Sequence, residues 1–313
     1  MKINKETIII GGIPNPIGGV TTFLSRLIKA YSQYVVMLLD LYPSEDKRIP
    51  KNFSGHYKLA KNKIIAIFLV FITQLKYRNK DFFFNFSSGN SLAFFIFLPK
   101  MNNEWSLMLH HGHLSSKLPR FITRSILNKF DRIYALNQRQ EEFYRGFKSD
   151  LNIIQETSYV PATLVDIENA EKEVLLDKIN KGYKILVGSG FPRPLYQHHL
   201  LIDLVSSNQN LFLFLFLYGE GELKNEFLKL NHPRIVVFLD KDEDVFNFYL
   251  SKSNLYLRPT LEDSFGIACA DAVEFGIPVI ASDVCKRYKG VIIYSYENAS
   301  EFEKLALETL KCI

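Results

Sequence analysis

Short, uninterrupted apolar runs alternate along this chain with longer segments whose apolar residues recur at helical spacing. Residues 7–10, 35–39, 82–86, 106–109 and 132–135 read as strands in the first half, and residues 184–187, 211–217, 234–238, 254–257 and 279–281 in the second. Between the first two runs, Phe23, Leu24, Leu27, Ile28 and Tyr31 fall on one face of a helix. A strand with one solvent face alternates apolar and polar residues. In these runs hydrophobicity is continuous rather than alternating, the mark of parallel strands covered by helices on both faces. The pattern predicts two doubly wound, Rossmann-like α/β units, with no internal repeat and no low-complexity linker. A Pro-containing segment and a polar stretch over residues 159–177 place the expected boundary between domains 1–163 and 164–313. In open α/β sheets ligands bind beyond the carboxyl ends of the strands, and two such sheets facing one another would leave a cleft. The loops that follow strands therefore carry the candidate chemistry.

Composition narrows the classes. Hydrophobic residues make up 47% of the 313 residues and charged ones 23%, which excludes a disordered chain. Cys269, Cys285 and Cys312 are odd in number and lack ligand spacing, so a reducing compartment and no metal are expected. Residues 1–6 are polar rather than basic and then apolar, unlike a secretory signal. The longest apolar run, residues 64–75, is shorter than the roughly 20 residues that span a bilayer. A cytoplasmic protein is expected. Charge is uneven: residues 1–150 carry 22 Lys and Arg against 10 Asp and Glu, a net +12, and the remainder carry 16 against 23, a net −7. A basic half suits an anionic lipid, a phosphorylated substrate or nucleic acid, and equally a merely solvated Lys-rich surface. No basic aromatic motif supports nucleic acid.

Three loops stand out. Gly11-Gly12-Ile13-Pro14-Asn15-Pro16-Ile17-Gly18-Gly19 joins the first strand to a helix and brings bare backbone to a helix N-terminus, suited to a phosphate or a closely approaching sugar. It lacks the Lys of a P-loop, and a tight structural turn would use the same residues. His110-His111-Gly112-His113 follows an apolar run. A histidine there can hydrogen-bond a sugar hydroxyl or stabilise a phosphate, or serve simply as a structural residue. No ligand spacing accompanies the imidazoles, so metal binding is not expected. The third loop begins Arg258-Pro259-Thr260-Leu261-Glu262-Asp263-Ser264-Phe265-Gly266 and enters a helix expected to stop at Gly276, before Pro278-Val279-Ile280-Ala281. Asp263 and Asp271 then lie about two helical turns apart, roughly 12 Å at the helical rise.

This last segment resembles the retaining GT-B glycosyltransferases of group 1, also called glycosyltransferase family 4. Their hallmark pairs two acidic residues across a segment like E-G-F-G-x-x-x-x-E-A, followed by G-x-P-V-I-A. Asp263, Phe265-Gly266, Asp271-Ala272, Gly276 and Pro278 to Ala281 stand in register with it. Gly18-Gly19-Val20, His111-Gly112 and Tyr218-Gly219-Glu220-Gly221 are similar to the family's weaker motifs along most of the chain.

The resemblance implies a GT-B fold and transfer of a sugar from a UDP- or GDP-sugar to a glycan acceptor, without a metal or other cofactor. It implies that Asp271 holds the ribose, that Asp263 addresses the transferred sugar, and that His111 lies near the reacting sugar. The expected catalytic residues are His111 and Asp263. The expected donor-binding residues are Gly18, Gly19, Arg193, Glu262, Ser264, Phe265, Gly266, Asp271, Lys286 and Arg287. Two departures stand out: both acidic positions are Asp rather than the commoner Glu, and the Lys usual after the first strand of the second domain is absent from residues 188–198. Arg193 is the obvious cation there, with Lys286 and Arg287 as further sources of charge. Alternatives are a non-catalytic GT-B subunit that binds a glycan or steadies a partner, and a sugar-nucleotide epimerase, which the combined 263–281 pattern disfavours. Lys58, Lys61 and Lys63 precede the apolar run 64–75, and Lys76, Arg78 and Lys80 follow it. This arrangement fits an interfacial segment at the inner face of a membrane, and a lipid-linked acceptor in bacterial surface polysaccharide assembly, as well as a buried helix with solvated ends.

Overall fold

The Leu-Phe alternation of residues 211–217 shows why the apolar runs form two-sided strands. Leu211, Leu213, Leu215 and Leu217 enter one core, and Phe212, Phe214 and Phe216 enter another on the opposite face of the sheet. A period of two with both phases apolar reads in sequence as a continuous run. The phenylalanine face is aromatic and well ordered: the rings of Phe214 and Tyr249 meet edge-on at 4.8 Å, and those of Phe216 and Phe246 at 5.2 Å.

The computed structural model describes every residue except 1, 16, 45, 96, 111–117 and 264, together with the side chains of all described residues except Lys63 and Phe94. The chain divides into two units, Met1–Val160 and Pro161–Ile313. In the first, β1 (Thr7–Gly11), β2 (Val35–Asp40), β3 (His56–Leu59), β4 (Asp81–Phe86), β5 (Glu104–Leu109), β6 (Arg132–Ala135) and β7 (Ile153–Gln155) form a parallel sheet ordered β3-β2-β1-β4-β5-β6-β7. In the second, β8 (Lys184–Gly190), β9 (Leu211–Leu217), β10 (Ile235–Leu239), β11 (Leu255–Arg258), β12 (Val279–Ser282) and β13 (Ile292–Tyr294) are ordered β10-β9-β8-β11-β12-β13, again parallel. Both orders reverse once, between β1 and β4 and between β8 and β11, which sets a ligand crevice at the carboxyl ends of those strands in each unit.

Each strand expected from the apolar runs is present. The three additional strands, β3, β7 and β13, all lie at sheet edges, with one neighbour and part of each face open to solvent. An edge strand can be held by its one neighbour without a continuous apolar run, and residues 56–59 and 153–155 carry no such signal, whereas the fourth edge strand, β10, does.

The apolar run at residues 64–75 forms the helix Lys63–Lys76, capped by Asn62, whose Oδ1 accepts from the Ile65 N–H at 2.9 Å. It is apolar on its inner side, where Ile67, Leu69 and Phe71 pack against the core, and on its outer side as well. Ala66, Val70, Thr73 and Gln74 face the interior, where Gln74 accepts a hydrogen bond from the indole of Trp105 at 3.2 Å. Ile64, Ile65, Phe68, Ile72 and Leu75 are exposed, and at 3.6 residues per turn they fall within an arc of about 100°. Among the described residues no helix is long and apolar enough to cross a membrane.

Candidate active site

The β8–β11 crevice gathers charge from three strand ends. β11 ends on Arg258, whose guanidinium is fixed from several sides: Nη1 donates to the Ser189 carbonyl at 2.7 Å, Nε donates to Asp263 Oδ2 at 3.1 Å, and the group lies 4.9 Å from the centre of the Tyr196 ring. Beyond β12, Arg287 folds back so that Nη1 reaches the same Asp263 oxygen at 2.7 Å, while Nε donates to the Ser282 carbonyl at 3.0 Å. Ser282 in turn donates to the Thr260 carbonyl at 2.5 Å, and Thr260 Oγ1 donates to the Glu262 carbonyl at 2.7 Å, which shapes the loop bearing Asp263.

Burial of Asp263 opposes its ionisation, but Arg258 and Arg287 together override this and hold the carboxyl down at about 2. Burial likewise opposes the charge on Arg258, and Asp263 outweighs it, leaving the guanidinium charged. The cluster sets two guanidiniums against one carboxylate, an excess of positive charge. It adjoins the N-terminus of the helix Ile267–Glu274, which has no acidic residue in its first turn and no side-chain cap. Gly266 makes the junction, at φ +79°. A Cβ there would stand 2.8 Å from Arg287 Nη1 and 3.2 Å from Asp263 Oδ2, so glycine is required by both conformation and space. Cys269, one turn on, is no nucleophile: burial pushes its thiol up to about 12.

Of the expected site residues, Asp263, Gly266 and Arg287 are brought together directly. Asp271 is 1% exposed on the helix Ile267–Glu274. The helix starts at Ile267 with Gly266 at its N-cap, and Asp263 lies in the loop before it. Phe265 packs edge-on against Tyr288 at 6.4 Å, and Glu262 is half-buried, its N–H directed to Thr260 Oγ1 at 3.4 Å. Arg193 is exposed beyond β8, with its guanidinium 5.3 Å from the Phe191 ring centre and Nε donating to the Glu220 carbonyl at 3.3 Å. Lys286 is exposed beyond β12. His111 and Ser264 lie outside the described residues. Arg258 was not among the expected residues. Its one sequence signal is a cation closing an otherwise apolar strand just before Pro259.

The first unit holds Gly18 and Gly19 beside its own crevice, where Gly18 precedes the helix Gly19–Ala30 and donates to Thr21 Oγ1 at 3.1 Å. Gly12 is demanded by packing, since a Cβ would meet the Tyr42 ring at 1.9 Å. Gly18 is extended and a Cβ would meet nothing within 4 Å among the described residues, so packing does not explain the glycine. Neighbouring His110 is buried, its Nε2 hydrogen-bonded to Asn85 Oδ1 at 2.7 Å and its ring 5.0 Å from Phe23.

Two parallel-sheet units of this kind make up the GT-B fold. The fold is shared across nearly the whole chain with Anabaena Alr3699/HepE, solved with UDP and glucose, at TM-score 0.72 and 13% identity, covering 98% of this chain and 89% of that one. It is also shared with the lipopolysaccharide outer core galactosyltransferase WaaB in its apo form, at TM-score 0.61 and 12% identity, covering 98% and 90%. Sucrose-phosphate synthase from Thermosynechococcus elongatus gives a TM-score of 0.66 at 13% identity, covering 98% and 90%. No curated protein matches the chain in sequence. More narrowly, residues 171–304, within the C-terminal unit, match the family of glycosyl transferases group 1, and this match marks the chain as a glycosyltransferase.

Proposed function

We propose that the protein is a retaining family 4 enzyme that moves a sugar from a UDP- or GDP-sugar to a hydroxyl of a lipid-linked glycan, in bacterial surface polysaccharide assembly at the inner face of the plasma membrane. The observation that carries this reading is the positively charged Arg258–Asp263–Arg287 cluster at the N-terminus of the helix bearing buried Asp271. A diphosphate needs charge stabilisation as it departs, and fixed guanidiniums with a helix dipole provide it without a metal. Arg258 and Arg287 stand in for the family's missing Lys, with Arg193 and Lys286 as outer cations. The backbone at Phe265 and Gly266 lines the diphosphate, with Glu262 beside it. Asp271 takes the ribose hydroxyls, and Asp263 holds both guanidiniums and addresses the transferred sugar. In the transfer the bond from the anomeric carbon to the diphosphate breaks, the acceptor oxygen bonds that carbon on the same face, and the acceptor proton passes to the leaving phosphate. His111 and the Gly18-Gly19 loop serve the sugar side, and room beyond Gly18 suits a ligand's approach.

UDP is the first candidate nucleotide because the Anabaena neighbour was solved with it. Calorimetry with UDP and GDP tests the assignment. Asp271→Ala removes the charged acceptor of a hydroxyl pair and is expected to weaken the preferred nucleotide by about 1.5 to 3 kcal/mol, roughly tenfold or more. Unchanged affinity in the folded variant would remove Asp271 from the site. The second reading, a non-catalytic glycan-binding subunit, rests on the missing Lys alone. Hydrolysis or transfer of a bound sugar nucleotide decides against it.

A further inference from the structure

The first unit holds a cavity of about 620 Å³ that none of the chemistry above uses. Leu41 and Pro43, just past β2, Phe86 at the end of β4, Phe95 beyond it, and Ile64 and Ala66 from the first turn of the helix Lys63–Lys76 make its apolar wall. No charged side chain lines it among the described residues. Its size lies within the range of small-molecule sites, and its place beside the carboxyl ends of β2 and β4 is where an open parallel sheet receives ligands. Tyr42, Asn62 and Ser91 add the polar side chains of the lining among the described residues, few partners for the hydroxyls of a sugar.

Ile64 belongs at once to this wall and to the exposed apolar stripe of the helix, where it is 79% exposed and Phe68 is 60% exposed. The stripe thus runs without interruption into the cavity. Around it Lys58, Lys61, Lys76 and Arg78 are all exposed, a cationic fringe complementary to phosphate head groups. A second protein chain would need only the apolar stripe. The cationic fringe and the internal cavity together match an amphiphile with an anionic head and a hydrocarbon chain.

We infer that the cavity is a subsite for the hydrocarbon segment of a phosphorylated lipid acceptor, which enters from the bilayer along the exposed stripe of the helix Lys63–Lys76. This rests on the lipid-linked acceptor proposed above and adds that the protein itself takes part of the lipid out of the membrane. Each methylene moved from water into an apolar site strengthens binding by about fourfold, so affinity must rise steeply with chain length until the cavity is full.

The test measures binding of inorganic phosphate and of n-butyl, n-octyl and n-dodecyl phosphate below their micellar concentrations to the full chain. A gain of at least tenfold from butyl to octyl, levelling toward dodecyl, is expected in the wild type. Ser91→Trp, at a half-buried position on the cavity, is expected to abolish the gain without changing inorganic phosphate binding. Pro43→Trp, at an exposed position on the same wall, repeats the test should Ser91→Trp misfold. Equal affinities for all chain lengths in the wild type, or a gain that survives in a folded, filled variant, overturns the inference. Sedimentation of the same proteins with anionic vesicles separates the two ideas. Sedimentation without chain-length dependence leaves membrane docking standing and removes the subsite. Chain-length dependence without sedimentation does the reverse.

Discussion

Asp263 shows how one residue's chemistry depends on partners that its own sequence neighbourhood does not contain. Its acidic character and its partnership with Gly266 are visible in the loop itself, because a glycine before a helix and an acid before that glycine form a local pattern. The arginines are another matter. Arg258 and Arg287 converge only because β11 and β12 pair in parallel, with Arg258 opposite Ala281, an adjacency set by the sheet order. The cluster makes a pH prediction. The folded carboxyl sits at about 2, below its ordinary value of 3.8, so its stabilisation is complete above that ordinary value and disappears as pH falls through about 2. Replacing Asp263 with Asn is expected to lower stability by about 2 to 3 kcal/mol at neutral pH. The difference should persist to about pH 4 and shrink only below it. Urea unfolding of both proteins across this range is the measurement. A difference that has already vanished at pH 5 would mean that the carboxylate is not held between two guanidiniums.

Among the elements, the central strands and the apolar edge strand β10 were legible, and the three remaining edge strands were not. Burial on both faces writes an unbroken apolar run into β1, β4 or β9, while β3, β7 and β13 are specified by the strand beside them. The helix His198–Ser207 illustrates a different kind of hidden constraint. His198 looks like a surface histidine in a polar loop, yet it is buried, stacked on Tyr196 at 5.7 Å, with Nε2 donating to the Phe191 carbonyl at 3.1 Å. Burial lowers its pKa to about 3, outweighing the opposing pull of that carbonyl, and the Arg258 charge adds a smaller push in the same direction as burial. Here the folded state favours the neutral base. The stabilisation is therefore complete above the unfolded value near 6.5 and is lost as pH falls from there toward 3, by about 1.4 kcal/mol per pH unit. His198→Gln, which cannot titrate, is expected to flatten this slope while remaining less stable than the wild type at pH 7.5. Unfolding free energies of both proteins between pH 4.5 and 7.5 decide it, and parallel slopes would assign the acid sensitivity to other groups.

For the whole molecule, the charge imbalance between the first half, at +12 over residues 1–150, and the rest, at −7, was plain in the sequence. What it serves was not. A buried core helix and an interfacial one have equally apolar sequences, and only the fold tells which side of the helix meets protein. Here the interior side carries Ala66, Val70, Thr73 and Gln74, and the exposed side carries Ile64, Ile65, Phe68, Ile72 and Leu75. That exposed apolar stripe, with Lys58, Lys61, Lys76 and Arg78 exposed as well, is what supports the proposed membrane docking. Two contributions are then separable. Each basic side chain near an anionic surface adds roughly 1 kcal/mol that salt screens within a Debye length, whereas the apolar stripe adds a term that salt does not weaken. Changing the four cations to Gln is expected to remove most sedimentation with vesicles containing phosphatidylserine at low salt, and 0.5 M salt, an ionic strength with a Debye length of roughly 4 Å, should do the same to the wild type. Phe68→Asp is expected to weaken sedimentation at every salt concentration, because it places a charge in the centre of the stripe. Nucleotide affinity should be untouched in both variants, since the proposed donor residues of the C-terminal unit are unaltered. A wild-type protein that ignores anionic vesicles even at low salt would overturn docking, and would leave the outward Ile, Phe and Leu side chains to another partner.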